Sequence, residues 1–376
     1  MQEKKNHKSL HIVSFDIPYP PNYGGVIDVF YKLKALAEKG VKIHLHAFQY
    51  GKKATSELNR YCASVTYYPR KRYKNPFSPG LPYIVRSRAD AQLLENLTQD
   101  NHPVLFEGIH CCYYLGHPDL KGKKQIVRMH NLEDLYYKHL AKVEKNPLKR
   151  YYYNQEANKL RAFQNKLSCA DHIASISPSE HHTLSLKHGN SFYLPVFHPH
   201  NEVQLPEGDG NFALYHGNLS VGENNQAALF LVNKVFNDLE IPLKIAGNGA
   251  STEIKRAAEE KAHIEIHENI NPTEIQELIK GAHINILPCF QKTGIKLKLL
   301  NVLFNGRHCL VNNPMVENTG LEGLCHVENT PESLKNEVKA LMQRPFKVTE
   351  AEKRAEKLQP FQPEKNAETL VSYLYD

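Results

Sequence analysis

The stretch LHIVSFDIPYPPNYGGVIDVFYKLKALAEKGVKIHLHAF, residues 10–48, sets the architecture of this chain. Residues 10–16 and 41–48 are short and rich in β-branched and apolar side chains, which predicts two strands. Residues 25–38 lie between them and predict a helix. A strand, a helix and a strand in this order predict a parallel sheet that helices cover on both faces.

The same alternation continues along the chain, pauses in a polar stretch rich in proline and glycine, and then restarts. Further strands are predicted at residues 104–109, 125–129, 172–177, 212–218, 242–249, 263–268, 284–288 and 308–312. Helices are predicted within 131–167 and near 224–236, 251–261, 273–280, 295–304 and 332–342. We therefore expect an N-terminal domain (1–200), a linker (201–211), a C-terminal domain (212–357) and a last helical segment (358–376).

Composition and charge narrow the class of protein. A hydrophobic fraction of 41%, with 20 Tyr and 15 Phe in 376 residues, is typical of a globular protein. Seven cysteines without regular spacing indicate reduced thiols and a cytoplasmic location. Residues 1–200 carry 29 Lys+Arg and 16 Asp+Glu, whereas residues 201–376 carry 18 and 24. The basic half suits an anionic membrane surface or a phosphorylated acceptor, and the sequence shows no nucleic-acid-binding motif.

The segment TGIKLKLLNVLFNG, residues 293–306, predicts an anion site. Thr293 is suited to begin a helix, and Gly294 leaves room for close approach. Lys296 and Lys298 then fall in or near the first turn, where the helix dipole makes a cation unfavourable by roughly 0.3–1 kcal/mol. A bound phosphate or diphosphate would remove that cost. Two solvated lysines beside a turn are the alternative.

Gly24 and Gly25 follow a proline-rich turn after the first predicted strand. Glycines there allow a backbone to approach a ligand, and the helix that they open attracts anions at its N-terminus. A plain turn is the alternative.

With this layout, the chain resembles the GT-B-fold glycosyltransferases of the group 1, or family 4, type. The resemblance covers nearly the whole length. It rests on PYPPNYGGVIDVFYKLKALAEKG (18–40), RMHNLEDLYY (128–137), YHGNLSVGENN (215–225), KIAGNG (244–249), TGIKLKLLNVLFNG (293–306) and LQPFQPEKNAETLVSYLY (358–375), in this order. It implies an α/β protein with two Rossmann-like doubly wound domains that face a central cleft, and a C-terminal helix that crosses back to the first domain.

The resemblance also implies a nucleotide-sugar donor, held mainly by the C-terminal domain, with no metal and no other cofactor. Lys298 would then stabilise charge on the leaving diphosphate as a catalytic residue. The family commonly carries two glutamates eight positions apart where this chain has Thr293 and Asn301, so a weakened or inactive enzyme stays open. The implied donor-binding residues are Gly24, Gly25, Gly217, Asn218, Gly247, Gly249, Thr293, Gly294, Ile295, Lys296, Lys298 and Asn301.

His130 follows the predicted strand at residues 125–129, where an α/β sheet displays reactive groups. It is the second catalytic candidate, because it could steer the acceptor proton or bind the donor sugar. In a chain with 21 histidines, a structural histidine is the alternative. Glu107, His110, Arg128 and Asn131 are candidates for acceptor binding. For these the alternatives are buried structural roles, a carboxylate partner for Arg128 and a helix cap for Asn131.

The sequence thus predicts a cytoplasmic glycosyltransferase that moves a sugar from a nucleotide-sugar donor to a hydroxyl of a glycan, polysaccharide or lipid-linked acceptor, in cell-surface glycan biosynthesis. Retention of anomeric configuration follows from the resemblance only.

Residues 136–166 interleave tyrosine with lysine and arginine, which suits a peripheral contact at the inner membrane surface; an ordinary solvated helix pair is the alternative. A nucleotide-sugar epimerase of the same fold and a catalytically degenerate scaffold are the rival functions.

Overall fold

The computed structural model describes residues 8–72, 80–204, 208–290 and 297–376. The chain divides into two compact units. The first unit comprises Met1–Pro199 and Pro363–Asp376, and the second comprises His200–Gln362.

The first unit is built on a parallel sheet of seven strands. Its strands are β1 (Ser9–Ser14), β2 (Lys42–Gln49), β3 (Ser64–Pro69), β4 (Val104–Glu107), β5 (Gln125–Met129), β6 (His172–Ser175) and β7 (Ser191–Tyr193). They lie in the order β3-β2-β1-β4-β5-β6-β7. Every residue of β1, β4 and β5 is buried, as expected for central strands that helices cover on both faces.

Helices alternate with these strands. They are α1 (Gly24–Glu38), α2 (Tyr83–Arg86), α3 (Ala91–Thr98), α4 (Glu133–Val143), α5 (Pro147–Phe163) and α6 (Pro178–His188). In α1, Val26, Val29, Leu33 and Leu36 recur at helical spacing and are completely buried, so this face forms part of the core. The long helical region predicted at residues 131–167 is split, because Pro147 begins a new helix.

The second unit repeats the doubly wound pattern with six parallel strands in the order β10-β9-β8-β11-β12-β13. Its strands are β8 (Ala213–His216), β9 (Leu243–Ala246), β10 (Ile264–His267), β11 (Ile284–Leu287), β12 (His308–Val311) and β13 (His326–Val327). Its helices are α7 (Gly222–Phe230), α8 (Thr252–Glu259), α9 (Pro272–Gly281), α10 (Leu297–Asn305), α11 (Asn313–Val316), α12 (Pro331–Met342) and α13 (Val348–Leu358).

The last helix, α14 (Pro363–Tyr375), belongs to the first unit. The hydroxyl of Tyr375 donates to the carbonyl of Ser9 at 2.8 Å, and the ring of Tyr373 stacks on Phe192 with 3.7 Å between centroids. At the other end of α14, Glu364 accepts a hydrogen bond from Lys39. The C-terminal helix therefore covers part of the N-terminal sheet.

These features confirm the predicted fold class of two doubly wound units with a returning C-terminal helix. The sequence missed β3, β7 and β13, which lie at the edges of their sheets. The alternative that Asn131 caps a helix is wrong, because α4 begins after Leu132. None of the helices in the described ranges is long and apolar enough to cross a membrane.

Each sheet has one point where the strand order reverses. In the first unit β1 and β4 are neighbours, and the chain continues from β1 to β2 on one side of this pair and from β4 to β5 on the other. In the second unit β8 and β11 are the corresponding pair, with β9 on one side and β12 on the other. The carboxyl ends of two neighbouring strands then open a crevice, which is where ligands bind in such sheets.

Candidate active site

A buried group of charges lies at the strand-order reversal of the first unit. Lys32, on α1, donates to Glu107 at the end of β4 over 2.6 Å and to Asp28, one helical turn earlier, over 3.0 Å. All three side chains are completely buried. A charge removed from water is tolerated only when it is paired, so this group depends on all its members.

Arg128, in β5, completes the pairing around Asp28. Its Nε and a terminal nitrogen donate to the two carboxylate oxygens of Asp28, each over 3.1 Å. The guanidinium also donates to the carbonyls of Leu194 and Pro195. Arg128 is completely buried, so of its two predicted roles the structure favours the carboxylate partner over acceptor binding.

Glu107 positions His130, which directly follows β5. Nε2 of His130 lies 2.9 Å from a carboxylate oxygen of Glu107, and Nδ1 lies 3.7 Å from Asp28. Burial raises the pKa of Glu107, but Lys32 and His130 together hold it below the ordinary value, so Glu107 is an anion. Nδ1 of His130 has no hydrogen-bond partner within the described ranges. Both ring nitrogens of His130 therefore face carboxylates of the buried group.

The ring of Phe15, just after β1, packs against three of the predicted site residues, namely Gly25, His110 and His130. Its centroid lies 5.4 Å from the rings of both His110 and His130. A Cβ added to Gly25 would lie 2.6 Å from Phe15 Cζ, so glycine is required for this packing. Nδ1 of His110 is also buried without a partner in the described part of the chain, and burial holds the pKa of His110 well below its ordinary value.

Two further acids lie beyond β5 and β6. Burial raises the pKa of Glu133 to about 7, although a hydrogen bond with Asn131 acts to lower it. Burial also raises the pKa of Glu180 to about 8, with Arg128 opposing and Glu133 reinforcing the shift. An oxygen of Glu180 and the hydroxyl of Tyr193, at the end of β7, are buried without partners among the described residues. Buried polar atoms are normally satisfied, so these atoms indicate a place for water or a polar ligand.

In the second unit, Lys298 lies at the strand-order reversal. Its Nζ donates to Oδ1 of Asn224 over 2.9 Å and lies 5.1 Å from the ring centre of Tyr215, the third residue of β8. Asn224 is in the first turn of α7, whose N-cap residue, Val221, offers no side-chain acceptor. The first turn of α7, which lacks a side-chain cap, therefore lies beside an ammonium group, and this combination favours an anion.

His216 ends β8 beside this lysine. It is 5% exposed, and burial together with the charge of Lys298 lowers its pKa to about 3. Its Nε2 has no hydrogen-bond partner in the part of the chain that the structure describes. A neutral imidazole with an unused nitrogen at this position can bind a hydroxyl or a phosphate hydroxyl.

The predicted glycines of the second unit are required by contact between two loops. A Cβ on Gly247 would lie 1.8 Å from the carbonyl oxygen of Gly217, and one on Gly249 would lie 2.8 Å from Cβ of Ser220. Gly249 also has φ of +79°, a conformation that favours glycine. Asn218 accepts from the amide of Ser220 and so fixes the same turn. These residues shape the loop that leads into α7.

Asn301 takes part in an amide network inside the second unit. Its Oδ1 accepts from Nε2 of Gln276 and from Nδ2 of Asn305, each over 3.0 Å. The remaining predicted donor residues of this segment, Thr293, Gly294, Ile295 and Lys296, lie outside the described residues. Of the lysine pair, the structure thus places Lys298 alone.

Two groups of side chains have the composition of metal ligands within the described ranges. In one group, Asp28, Glu107 and His130, the carboxylates are already paired with Lys32 and Arg128. In the other, His308, His326 and Glu350, the guanidinium of Arg344 lies 2.8 Å from Glu350 and 3.3 Å from His326. A bound cation would have to displace these partners, so neither group fits a metal well.

Sequence reasoning missed several residues of these two groups: Asp28, Lys32, Glu133, Glu180, Tyr193, Tyr215 and Asn224. One signal was available. Asp28 and Lys32 are four positions apart on an otherwise apolar face of α1, and a charged pair in that position indicates burial with a partner. No comparable signal marks Glu180 or Tyr193, because their burial depends on the sheet order.

Comparisons with known proteins agree with this architecture. No family model matches the chain. An uncharacterised 44.6 kDa protein in the cps region of Klebsiella pneumoniae is 28% identical over 327 residues, which is 82% of this chain and 84% of that protein. A structure of TarM from S. aureus, in complex with fondaparinux, α-GlcNAc-glycerol and UDP, has a TM-score of 0.65 at 9% identity, covering 98% of this chain and 100% of that chain.

WaaG, a glycosyltransferase involved in lipopolysaccharide biosynthesis, has a TM-score of 0.62 at 12% identity, covering 96% of this chain and 99% of that chain. The superposition extends over both units, and identities this low compare folds only. The chain has the GT-B fold, and the resemblance to GT-B-fold glycosyltransferases read from the sequence is confirmed at that level.

Proposed function

We propose that the chain is a glycosyltransferase that transfers a sugar from a nucleotide-sugar donor to a hydroxyl acceptor. The position of Lys298 carries this proposal. Its ammonium group, the uncapped first turn of α7 and the unpartnered nitrogen of His216 converge at the carboxyl edge of the second sheet. Such a set of donors suits the diphosphate of a nucleotide sugar, on which negative charge develops as the glycosidic bond breaks.

In this proposal the first unit serves the sugar and the acceptor. Glu107 fixes the ring of His130, and the proposed role of this imidazole is to bind a hydroxyl. Glu133, with a pKa of about 7, can take up or release a proton near neutral pH, which suits the management of an acceptor proton. Glu180 and Tyr193 supply further polar atoms for a hydroxyl-rich ligand. Retention of configuration and independence of metal belong to the proposal as well.

The biological setting that we propose is cytoplasmic assembly of a cell-surface polysaccharide. Support comes from the related protein in a cps region and from the structural similarity to WaaG. The acceptor is then a glycan, a growing polysaccharide or a lipid-linked sugar.

A thermal-shift screen tests the proposal. The purified chain would be heated with UDP, GDP, ADP or dTDP and with their sugars, beside Lys298→Ala and the control Lys353→Ala. Lys353 is exposed on α13 of the same unit. A donor at 100 times its dissociation constant should add about 2.7 kcal/mol to the free energy of unfolding. We expect a shift for one nucleotide class that Lys298→Ala loses and Lys353→Ala keeps. No shift with any nucleotide would favour the degenerate scaffold.

A substitution at Asn301 distinguishes an active enzyme from one that has lost its activity. In Asn301→Glu, the new carboxylate can still accept from Gln276 and Asn305, so the variant should fold. A loss of turnover would identify asparagine as the working residue of this enzyme. A gain would indicate a site that has lost an ancestral glutamate.

A further inference from the structure

The tip of the α4–α5 hairpin has an unusual surface. Three residues, 144–146, join α4 to α5, and Asn146 caps α5 by accepting from the amides of Leu148 and Lys149 over 3.0 and 3.2 Å. We use "hairpin tip" for residues 142–151. Every residue from 145 to 151 is exposed, so the tip is a convex surface of fixed backbone shape and not a groove.

Large apolar side chains are concentrated on the hairpin tip. Val143, Leu148 and Tyr151 are 60%, 74% and 56% exposed. Leu148 and Tyr151 are three positions apart on α5 and so share one side of the helix. Ten large hydrophobic side chains of the described residues are exposed in this way, and three of them fall within residues 143–151. Such a concentration on one small area marks an interaction surface more than scattered single residues do.

Cations surround these apolar side chains. Lys142, Lys145, Lys149 and Arg150 are exposed, and none of the ion pairs between described residues involves them. The single acid of the tip, Glu144, accepts a hydrogen bond from the amide of Asn146 over 2.8 Å. The tip therefore carries three net positive charges, and no carboxylate among the described residues forms an ion pair with its cations.

We propose that the hairpin tip docks on an anionic lipid bilayer. Val143, Leu148 and Tyr151 enter the boundary between headgroups and acyl chains, and the four cations meet lipid phosphates. A bilayer fits better than a protein partner for two reasons. A convex tip enters a deformable surface more readily than it fills a preformed pocket, and flexible lysine side chains suit many mobile phosphates. This binding goes beyond the proposed sugar transfer and does not depend on it.

Vesicle co-sedimentation with the full chain tests the proposal. The vesicles would contain phosphatidylcholine alone or a mixture with phosphatidylglycerol. We expect binding to the mixed vesicles, at least about tenfold weaker binding to phosphatidylcholine alone, and weakening by added salt. No binding to the mixed vesicles would overturn the proposal.

Surface variants locate the binding. Leu148→Asp and the double variant Lys149→Glu/Arg150→Glu should each weaken binding to the mixed vesicles by about tenfold or more. Leu186→Asp is the matched control, because Leu186 is 77% exposed on α6 of the same unit and outside the tip. All of these positions are exposed, so unchanged melting temperatures should show intact folding.

Equal loss in Leu186→Asp, or full binding by the tip variants, would overturn the assignment. Analytical ultracentrifugation supplies the remaining outcome: a dimer that Leu148→Asp dissociates would make the tip a contact between two copies of the chain and would also overturn it. The nucleotide-induced thermal shift of the tip variants should equal that of the unmodified chain, so failure of lipid binding and failure of donor binding are separate results.

Discussion

Lys298 Nζ lies 2.9 Å from Asn224 Oδ1, so a cation of α10 is held against the first turn of α7. Both elements follow the two strands between which the order of the second sheet reverses. The helix N-terminus and the ammonium group would otherwise repel each other. Their proximity is favourable once an anion binds to both.

Lys298→Ala should lower kcat by about 10²–10³, because the leaving diphosphate loses a fixed cation in the transition state. The change should appear in single-turnover transfer measured with saturating donor. Lys353→Ala, on the surface of α13, should keep full activity. Equal rates for the two variants would remove Lys298 from the reaction.

Lys32→Met should destabilise the first unit by about 3–5 kcal/mol, because Asp28 and Glu107 are then buried without their shared cation. Urea unfolding, followed by fluorescence or circular dichroism, measures this loss. Lys34→Met is the matched control on the same helix. Its side chain is 46% exposed and lies 4.0 Å from Glu38, so a change within about 0.5 kcal/mol is expected. A small effect of Lys32→Met would show that the buried charges rearrange.

Gly25→Ala should lower the free energy of unfolding by about 1–3 kcal/mol, because the new Cβ would lie 2.6 Å from the ring of Phe15. Phe15 also packs on His130, so the transfer rate should fall as well. Gly222→Ala provides the comparison, since Gly222 begins α7 and has nothing within 4 Å of an added Cβ. Chemical denaturation of both variants shows whether the contact with Phe15 causes the loss of stability in Gly25→Ala.

Glu180→Gln should become more stable, relative to the unmodified chain, as the pH rises. In the folded protein the pKa of Glu180 is raised to about 8, whereas an unfolded glutamate titrates near 4.3. Between these values the unfolded state releases a proton that the folded state retains, so the unmodified chain loses stability with rising pH. The difference should grow by up to about 1.4 kcal/mol per pH unit and level off above pH ~8.

Unfolding curves of Glu180→Gln from pH 4 to 9 would reveal this slope. Glu95→Gln, at an exposed position of α3, serves as the control and should run parallel to the unmodified chain. A parallel curve for Glu180→Gln would mean that Glu180 is already ionised in the fold.

The order of strands and helices could be predicted from the sequence because the central strands are buried and rich in apolar residues. β1 and β5 are buried at every residue, and their apolar runs are visible without a structure. β13 has two residues, and β3 has a single buried residue, Tyr68, so neither gives a run of that kind. Strands at the edge of a sheet depend on their neighbours more than on their own composition.

The candidate site was predictable only where it follows a strand. His130 and Glu107 could be located because each lies at the end of an apolar run. The contact between Lys32 and Glu107 joins residues 75 positions apart, and it exists because β1 pairs with β4. That pairing is a property of the whole sheet, which local patterns do not encode. The burial of Glu180 and Tyr193 also depends on the order of the sheet, so it cannot be predicted from local sequence patterns.

The return of α14 to the first unit has a consequence for synthesis. Residues 363–376 leave the ribosome after the whole of the second unit, yet Tyr373 and Tyr375 pack against Phe192 and Ser9. Until then, the apolar surface beside β7 that α14 covers is open to water or to chaperones. The second unit, in contrast, is continuous in sequence and can complete its core first. The domain that is translated first is therefore the one that finishes folding last.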